Sequence, residues 1–228
     1  MEGSRLSGTW VAPCQSGPYV VFMAKDPKSS IGDTSLWRVN TTYNEIMKLT
    51  DGPFDGFPVC SPDGKWIYYL KVTSQSMLQR VSINGGTSQA VMERMEVFPA
   101  IDVSHDGKLL SYWSSDAWHG HVGVINIESG KVEREFQREL PLRESSLFDT
   151  LATYPRFTPN DKALVYAIRV NGVDNLWVQP INGAKGYPLS SFKSDEIYDF
   201  HWSPSGHRLG IVRGRTESNV VLIREANH

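Results

Sequence analysis

Residues 57–72 read FPVCSPDGKWIYYLKV. An apolar run enters Ser61-Pro62-Asp63-Gly64, and an aromatic, β-branched run leaves it from Lys65 to Val72. Proline presets φ at the second position of a turn, aspartate can bond its own backbone, and glycine accepts a positive φ. The stretch is therefore two antiparallel strands joined by a tight turn.

The same turn recurs as Ser104-His105-Asp106-Gly107, Thr158-Pro159-Asn160-Asp161 and Ser203-Pro204-Ser205-Gly206, with a degenerate first copy at Cys14-Gln15-Ser16-Gly17. Each copy has a short inner run before it and a second strand after it. A third strand then follows: Ser35–Val39, Met77–Val81, Val122–Asn126, Asn175–Gln179 and Asn219–Ile223. Fourth strands read at Glu45–Thr50, Ser88–Met92, Lys131–Phe136 and Gly186–Ser190. A repeat of about 40 to 50 residues with four strands per unit is the signature of propeller blades. The expected fold is thus all-β: one five-bladed β-propeller domain over 1–228, built of four-stranded antiparallel blades. The blades fall at 9–50, 57–92, 98–136, 154–190 and 198–225. The fifth lacks a fourth strand, and an open edge invites aggregation; Ser4–Ser7 is expected to complete it by pairing with Asn219–Arg224.

Composition narrows the function classes. The formal net charge is −2 and no Lys/Arg cluster occurs, which argues against nucleic-acid binding. No run approaches ~18 consecutive apolar residues, so no membrane insertion is expected, and the first ten residues, MEGSRLSGTW, lack the apolar core of a secretory signal. Cys14 and Cys60 make no disulfide framework and are expected as buried free thiols. His119 and His121, with Asp116 nearby, lack a third metal ligand, so neither a metal nor a cofactor is expected.

The phrases FPVCSPDGKWIYYL, YPRFTPNDKALVYAI and YDFHWSPSGHRLGIV, each followed by an LWxV-like or VVLI strand, resemble the bacterial TolB-type propellers with WD40-like PD40 repeats. The last repeats are also similar to the C-terminal propellers of bacterial serine/threonine kinases and DNA-binding regulators. Resemblance to TolB implies an extracytoplasmic, periplasmic setting. It carries no kinase activity, because the Gly-rich ATP loop, the His-Arg-Asp loop and the Asp-Phe-Gly motif are all missing from this sequence.

In a propeller the innermost strands line a central channel. Two positions before each turn stand Ala12, Val59, Asp102, Arg156 and His201; four positions before stand Trp10, Phe57, Ala100, Tyr154 and Asp199. Strict alternation puts both sets on the channel and packs Val103, Phe157 and Trp202 between blades. The expected ligand site is Asp102, Arg156, His201 and Asp199, with Tyr154, Trp10 and Phe57 as apolar contacts at the mouth. Arginine offers paired donors to an anionic group, and aromatics carry much of the energy of small sites. Loops 51–56, 114–120 and 137–153 surround that mouth, and Leu147, Phe148 and Leu151 are spaced for a short helix over 144–151.

No Gly-x-Ser-x-Gly elbow is present. The expected protein is a non-enzymatic binding or sensing module, a monomer, recognising a protein, peptide or small ligand. Two alternatives stand beside it: a glycoside-active propeller using Asp102 and Asp199 as paired carboxylates, and a propeller spacer in a kinase-linked signalling chain.

Overall fold

In a computed structural model of the chain, the residues described are 7–25, 33–72, 76–95, 97–115, 120–137, 154–203 and 205–215. All regular structure among them is β. Blade 1 consists of β1 (Ser7–Pro13), β2 (Tyr19–Lys25), β3 (Thr34–Asn40) and β4 (Glu45–Lys48). Blade 2 consists of β5 (Asp55–Cys60), β6 (Trp66–Val72), β7 (Ser76–Ser82) and β8 (Gln89–Met95). Blade 3 comprises β9 (Val97–Val103), β10 (Leu109–Ser115), β11 (Gly120–Asn126) and β12 (Val132–Gln137), and blade 4 comprises β13 (Arg156–Phe157), β14 (Ala163–Val170), β15 (Val173–Pro180) and β16 (Tyr187–Pro188). The described part of blade 5 is the hairpin β17 (Glu196–Trp202) and β18 (Leu209–Gly214). Within each blade the strands pair antiparallel in chain order. The first strands of blades 1 to 4 also pack on one another in succession, β1 on β5, β5 on β9 and β9 on β13, which gathers them around a common axis.

The turn that carries the repeat owes its sequence to one local network. Ser61 Oγ donates to Asp63 Oδ1 at 2.6 Å and accepts from Trp66 N at 2.9 Å, while Lys65 N donates to Asp63 Oδ1 at 3.1 Å. Ser104, Asp106, Lys108 and Leu109 repeat these three bonds, and Thr158, Asn160, Lys162 and Ala163 do so again. The Ser61 hydroxyl and the Lys65 N–H hold the Asp63 carboxyl below its usual range. The fourth position has φ of +70° at Gly64 and +71° at Gly206, where a Cβ is costly. Asp161 occupies it with φ +56°, and its carboxylate accepts from His105 N at 2.9 Å and from Asp106 N at 3.0 Å. Asp161 thus gives up glycine's freedom to tie its turn to that of the preceding blade. Ser16 Oγ donates to Pro62 O at 2.7 Å between the first two turns, so the first and second turns, like the third and fourth, are tied to each other.

The core is a series of slabs between blades. Val21, Leu36, Ile67 and Tyr69 lie between blades 1 and 2; Tyr68, Leu70, Leu110 and Tyr112 between 2 and 3. Val122, Val124, Phe157 and Leu164 lie between blades 3 and 4, and Val165, Leu176, Ile197 and Phe200 between 4 and 5. As expected, Val103, Phe157 and Trp202 belong to these slabs.

Several sequence expectations need correction. Cys14 and Cys60 are not free thiols: they form a disulfide with Cα atoms 5.2 Å apart. Cys14 directly follows the inner strand of blade 1 and Cys60 ends that of blade 2, so the bond staples neighbouring blades where their inner strands run side by side. Asp55 and Gly56 belong to β5 and not to a loop; Asp55 is buried and its carboxylate takes Lys71 Nζ at 3.3 Å. Ser7 does not complete blade 5, because it pairs with Lys25 inside blade 1. Ser4 to Leu6 and Asn219–Arg224 lie outside the described residues, as do the helix expected over 144–151 and the loop residues Asp116 and His119.

Candidate functional site

Strict alternation fails along the inner strands, and the failure shapes the site. The β1–β2 register shifts between Thr9 and Val11, β5–β6 between Gly56 and Val59, and β17–β18 between Ile197 and Asp199. Each shift is a β-bulge, which bends a strand and re-aims its side chains. At two of these bulges an aromatic residue sits in the left-handed region: Trp10 with φ +52° and Phe57 with φ +57°. A bulky residue held there costs on the order of 1–3 kcal/mol, and such conformations concentrate at ligand sites.

The two strained residues meet. The Trp10 and Phe57 rings lie edge to face with centroids 4.7 Å apart, and Trp10 stacks on Tyr154 at 6.0 Å. Blades 1, 2 and 4 each contribute one ring, so the three gather across the axis. Tyr154, unlike the other two, is buried and precedes the short strand β13.

Two residues beyond Tyr154 begins a polar chain. Arg156 Nη2 donates to Asp199 Oδ1 at 3.0 Å, linking blade 4 to blade 5. His201 Nε2 stands 3.3 Å from Asp199 Oδ2, and Phe200 N donates to Asp199 Oδ1 at 2.8 Å. The Arg156 guanidinium lies 5.5 Å from the Phe200 ring centroid, and its Nε is buried without a hydrogen-bond partner. On the other side, Asp102 Oδ2 accepts from Phe157 N at 2.9 Å, linking blade 3 to blade 4. The four polar residues expected at the channel are therefore brought together along three consecutive inner strands. Ala100 stands outside the β9–β10 pairing, which jumps from Ile101 to Val97.

The two carboxylates are pushed in opposite directions. Burial raises Asp102, against the pull of the Arg156 charge and the Phe157 and Val103 N–H groups. Burial also opposes the charge on Asp199, but the His201 hydrogen bond and the Arg156 and His201 charges outweigh it and hold that carboxyl below its usual range. The consequences for stability have opposite signs. Asp102 favours the fold fully below its unfolded pKa and loses that contribution as pH rises through the raised folded value. Asp199 contributes above its unfolded pKa and loses that contribution as pH falls through the lowered one. Both acids of the glycoside alternative are thus engaged with neighbouring blades.

Two further clusters, invisible in the sequence, anchor the opposite ends of the second strands. Lys71 holds Asp55, whose other oxygen accepts from Gly52 N at 3.1 Å. Arg169 donates to Asp174 at 2.7 and 3.3 Å and reaches Glu196 of blade 5 at 2.8 Å, while Ile197 N donates to Asp174 at 2.9 Å. His121, considered above for a metal, stands 3.6 Å from Glu135.

No family profile matches the chain, and no curated protein matches it. Solved structures do. TolB from Acinetobacter baumannii superposes with a TM-score of 0.70 at 17% identity, over 89% of this chain and 48% of that one. A putative TolB from Agrobacterium tumefaciens also gives 0.70 at 17%, over 92% of this chain and 70% of that one. The chain thus spans about half the length of the first. An acylaminoacyl peptidase from Pyrococcus horikoshii gives 0.61 at 13%, over 85% of this chain and 33% of that one. This last similarity corrects the expectation of a non-enzymatic chain, since the same fold also stands within an enzyme. At these identities the likeness is one of architecture, and its content is this: the chain is a β-propeller of the TolB-like fold.

Proposed function

We propose that the chain is a binding module that takes a peptide segment of a protein partner, carrying a carboxylate, at the inner edges of its blades. The fold supports a binding or scaffold role in general. The observation that carries the finer reading is the gathering of Trp10, Phe57 and Tyr154, two of them in a strained backbone state, beside Arg156. Aromatic rings give apolar area at low entropic cost, and an arginine fork recognises a carboxylate with paired donors. Asp199, itself contacted by His201, holds that fork from one side, and its buried Nε has no hydrogen-bond partner. The Cys14–Cys60 disulfide suits an oxidising compartment, which agrees with an extracytoplasmic partner.

The test is a selection from a random peptide library displayed on phage, followed by measured affinities of the selected peptides for three forms of the chain. Peptides with acidic residues are expected to dominate. Arg156→Met and Trp10→Ala should each weaken them by at least about tenfold, the ~1.4 kcal/mol of a lost anchor, while leaving the melting temperature within a few degrees. Selected peptides that bind both variants at parental affinity would refute the reading.

A further inference from the structure

Arg38 carries a charge that the fold leaves unpaired. It stands on β3 opposite Val21 of β2 and Met47 of β4, on the face of blade 1 that packs on blade 2. Its guanidinium lies 4.5 Å from the Tyr19 ring centroid, and Nη2 donates to the Met47 thioether at 3.3 Å. Nε and Nη1 are buried with no hydrogen-bond partner. Sulfur is a weak acceptor, and a charged donor taken out of water with its bonds unmade is costly.

The repeat shows what is missing. Arg80 holds the same place in blade 2, opposite Tyr68 and Gln89, and stacks likewise on Trp66 at 4.5 Å. Its Nε, however, donates to Gln89 Oε1 at 3.0 Å. Blade 1 has Met47 where blade 2 has Gln89, so the arginine and its aromatic platform recur and the oxygen does not.

We infer that a ligand supplies this oxygen, and that Arg38 binds a small organic carboxylate at the rim between blades 1 and 2. Nη2 belongs to both donor pairs of a guanidinium, with Nε on one edge and Nη1 on the other, so the thioether blocks both. A swing of Met47 frees a complete pair, matched to the two oxygens of a carboxylate. Methionine suits such a latch, being unbranched with three rotatable bonds, and its terminal methyl rests 2.8 Å from where a Cβ on Gly85 would stand. Charge selects the ligand class: the groups touching Arg38, Tyr19 and Met47, are neutral, so a monoanion balances the site and a phosphate dianion exceeds it. Size selects the source, because the room vacated by one methionine tip takes a carboxylate on a short chain and not the surface of a folded partner. The inference does not depend on the peptide site at Arg156.

The experiment follows the arginine Nε–H signals of the isotope-labelled 228-residue chain by NMR during titration with sodium butyrate, ionic strength being held constant with sodium chloride. One signal, absent from Arg38→Met, is expected to shift saturably. Met47→Gln, which restores the arrangement of Gln89, should melt several degrees above the parent and bind butyrate at least about tenfold more weakly; it keeps the inference testable should Arg38→Met fail to fold. An Arg38 signal that does not shift saturably overturns the inference, and so does parental affinity in Met47→Gln. Inorganic phosphate saturating the signal at the same concentration as butyrate would make charge alone the attraction and refute the carboxylate class. Glu45 lies two residues from Met47 on the same strand; a melting temperature several degrees lower in Glu45→Gln would make it the partner of Arg38 in solution and overturn the inference as well.

Discussion

Reducing the Cys14–Cys60 bond, or replacing both cysteines with serine, is expected to destabilise the fold by about 4 kcal/mol, the chain-entropy value for a loop of this length. The two residues are 46 apart in sequence, close to one blade period, so the bond closes a loop containing nearly all of the first repeat. In the unfolded chain that closure removes conformations; in the fold it only joins inner strands that already run side by side. For a domain of this size about 4 kcal/mol corresponds to a fall in melting temperature of roughly 8–16 °C. Melting with and without reductant, alongside thiol titration of the denatured chain, measures it. Two titratable thiols in protein purified without reductant, and a melting temperature indifferent to reductant, would contradict the assignment.

Asp174→Ala is expected to cost a further 3–5 kcal/mol or so, the range for breaking a buried charge pair by removing one partner. Asp174 is 3% exposed and satisfies three donors at once: two from Arg169 of its own blade and Ile197 N of the next. Without it a half-buried guanidinium keeps Glu196 as its ion-pair partner, and a buried N–H loses its acceptor. Asp174→Asn keeps the shape and one acceptor, so its cost should be smaller. Denaturant unfolding of the three proteins gives the comparison. A loss below about 1 kcal/mol for the alanine variant, the ceiling for an ordinary surface ion pair, would show that blades 4 and 5 are not held together here.

Local chemistry was legible and distant chemistry was not. The turn at Ser61 declares itself because its hydroxyl and the Asp63 carboxylate bond within five residues. The position one before each turn lies between blades as alternation requires, since pairing next to a tight turn stays in register: Val103 opposes Leu110 and Trp202 opposes Leu209. Four positions before, the period of two breaks down at the bulges. A bulge adds one residue and no composition marks it, so the left-handed Trp10 and Phe57 could not be foreseen, though their convergence could. The disulfide does have a signal in the sequence: Cys14 and Cys60 fall one repeat apart at nearly the same height, which places them beside neighbouring inner strands. Asp161, standing where its repeats have glycine, was another such signal, because a side chain in the left-handed region has a cost that its bonds to His105 and Asp106 offset. For Asp55 and Asp174 the partners Lys71, Arg169 and Glu196 come from other strands, and no spacing rule joins them.

The account depends on the inner strands of non-adjacent blades meeting around one axis, and a double-mutant cycle on Trp10 and Tyr154 tests that most directly. Trp10→Ala, Tyr154→Ala and the double variant are unfolded in denaturant, so that the strain at Trp10 cancels and only the contact between the rings remains. Stacked rings of blades 1 and 4 predict a coupling of about 0.5–1.5 kcal/mol. Strictly additive losses would mean that the two rings do not touch and that the blades do not converge as described.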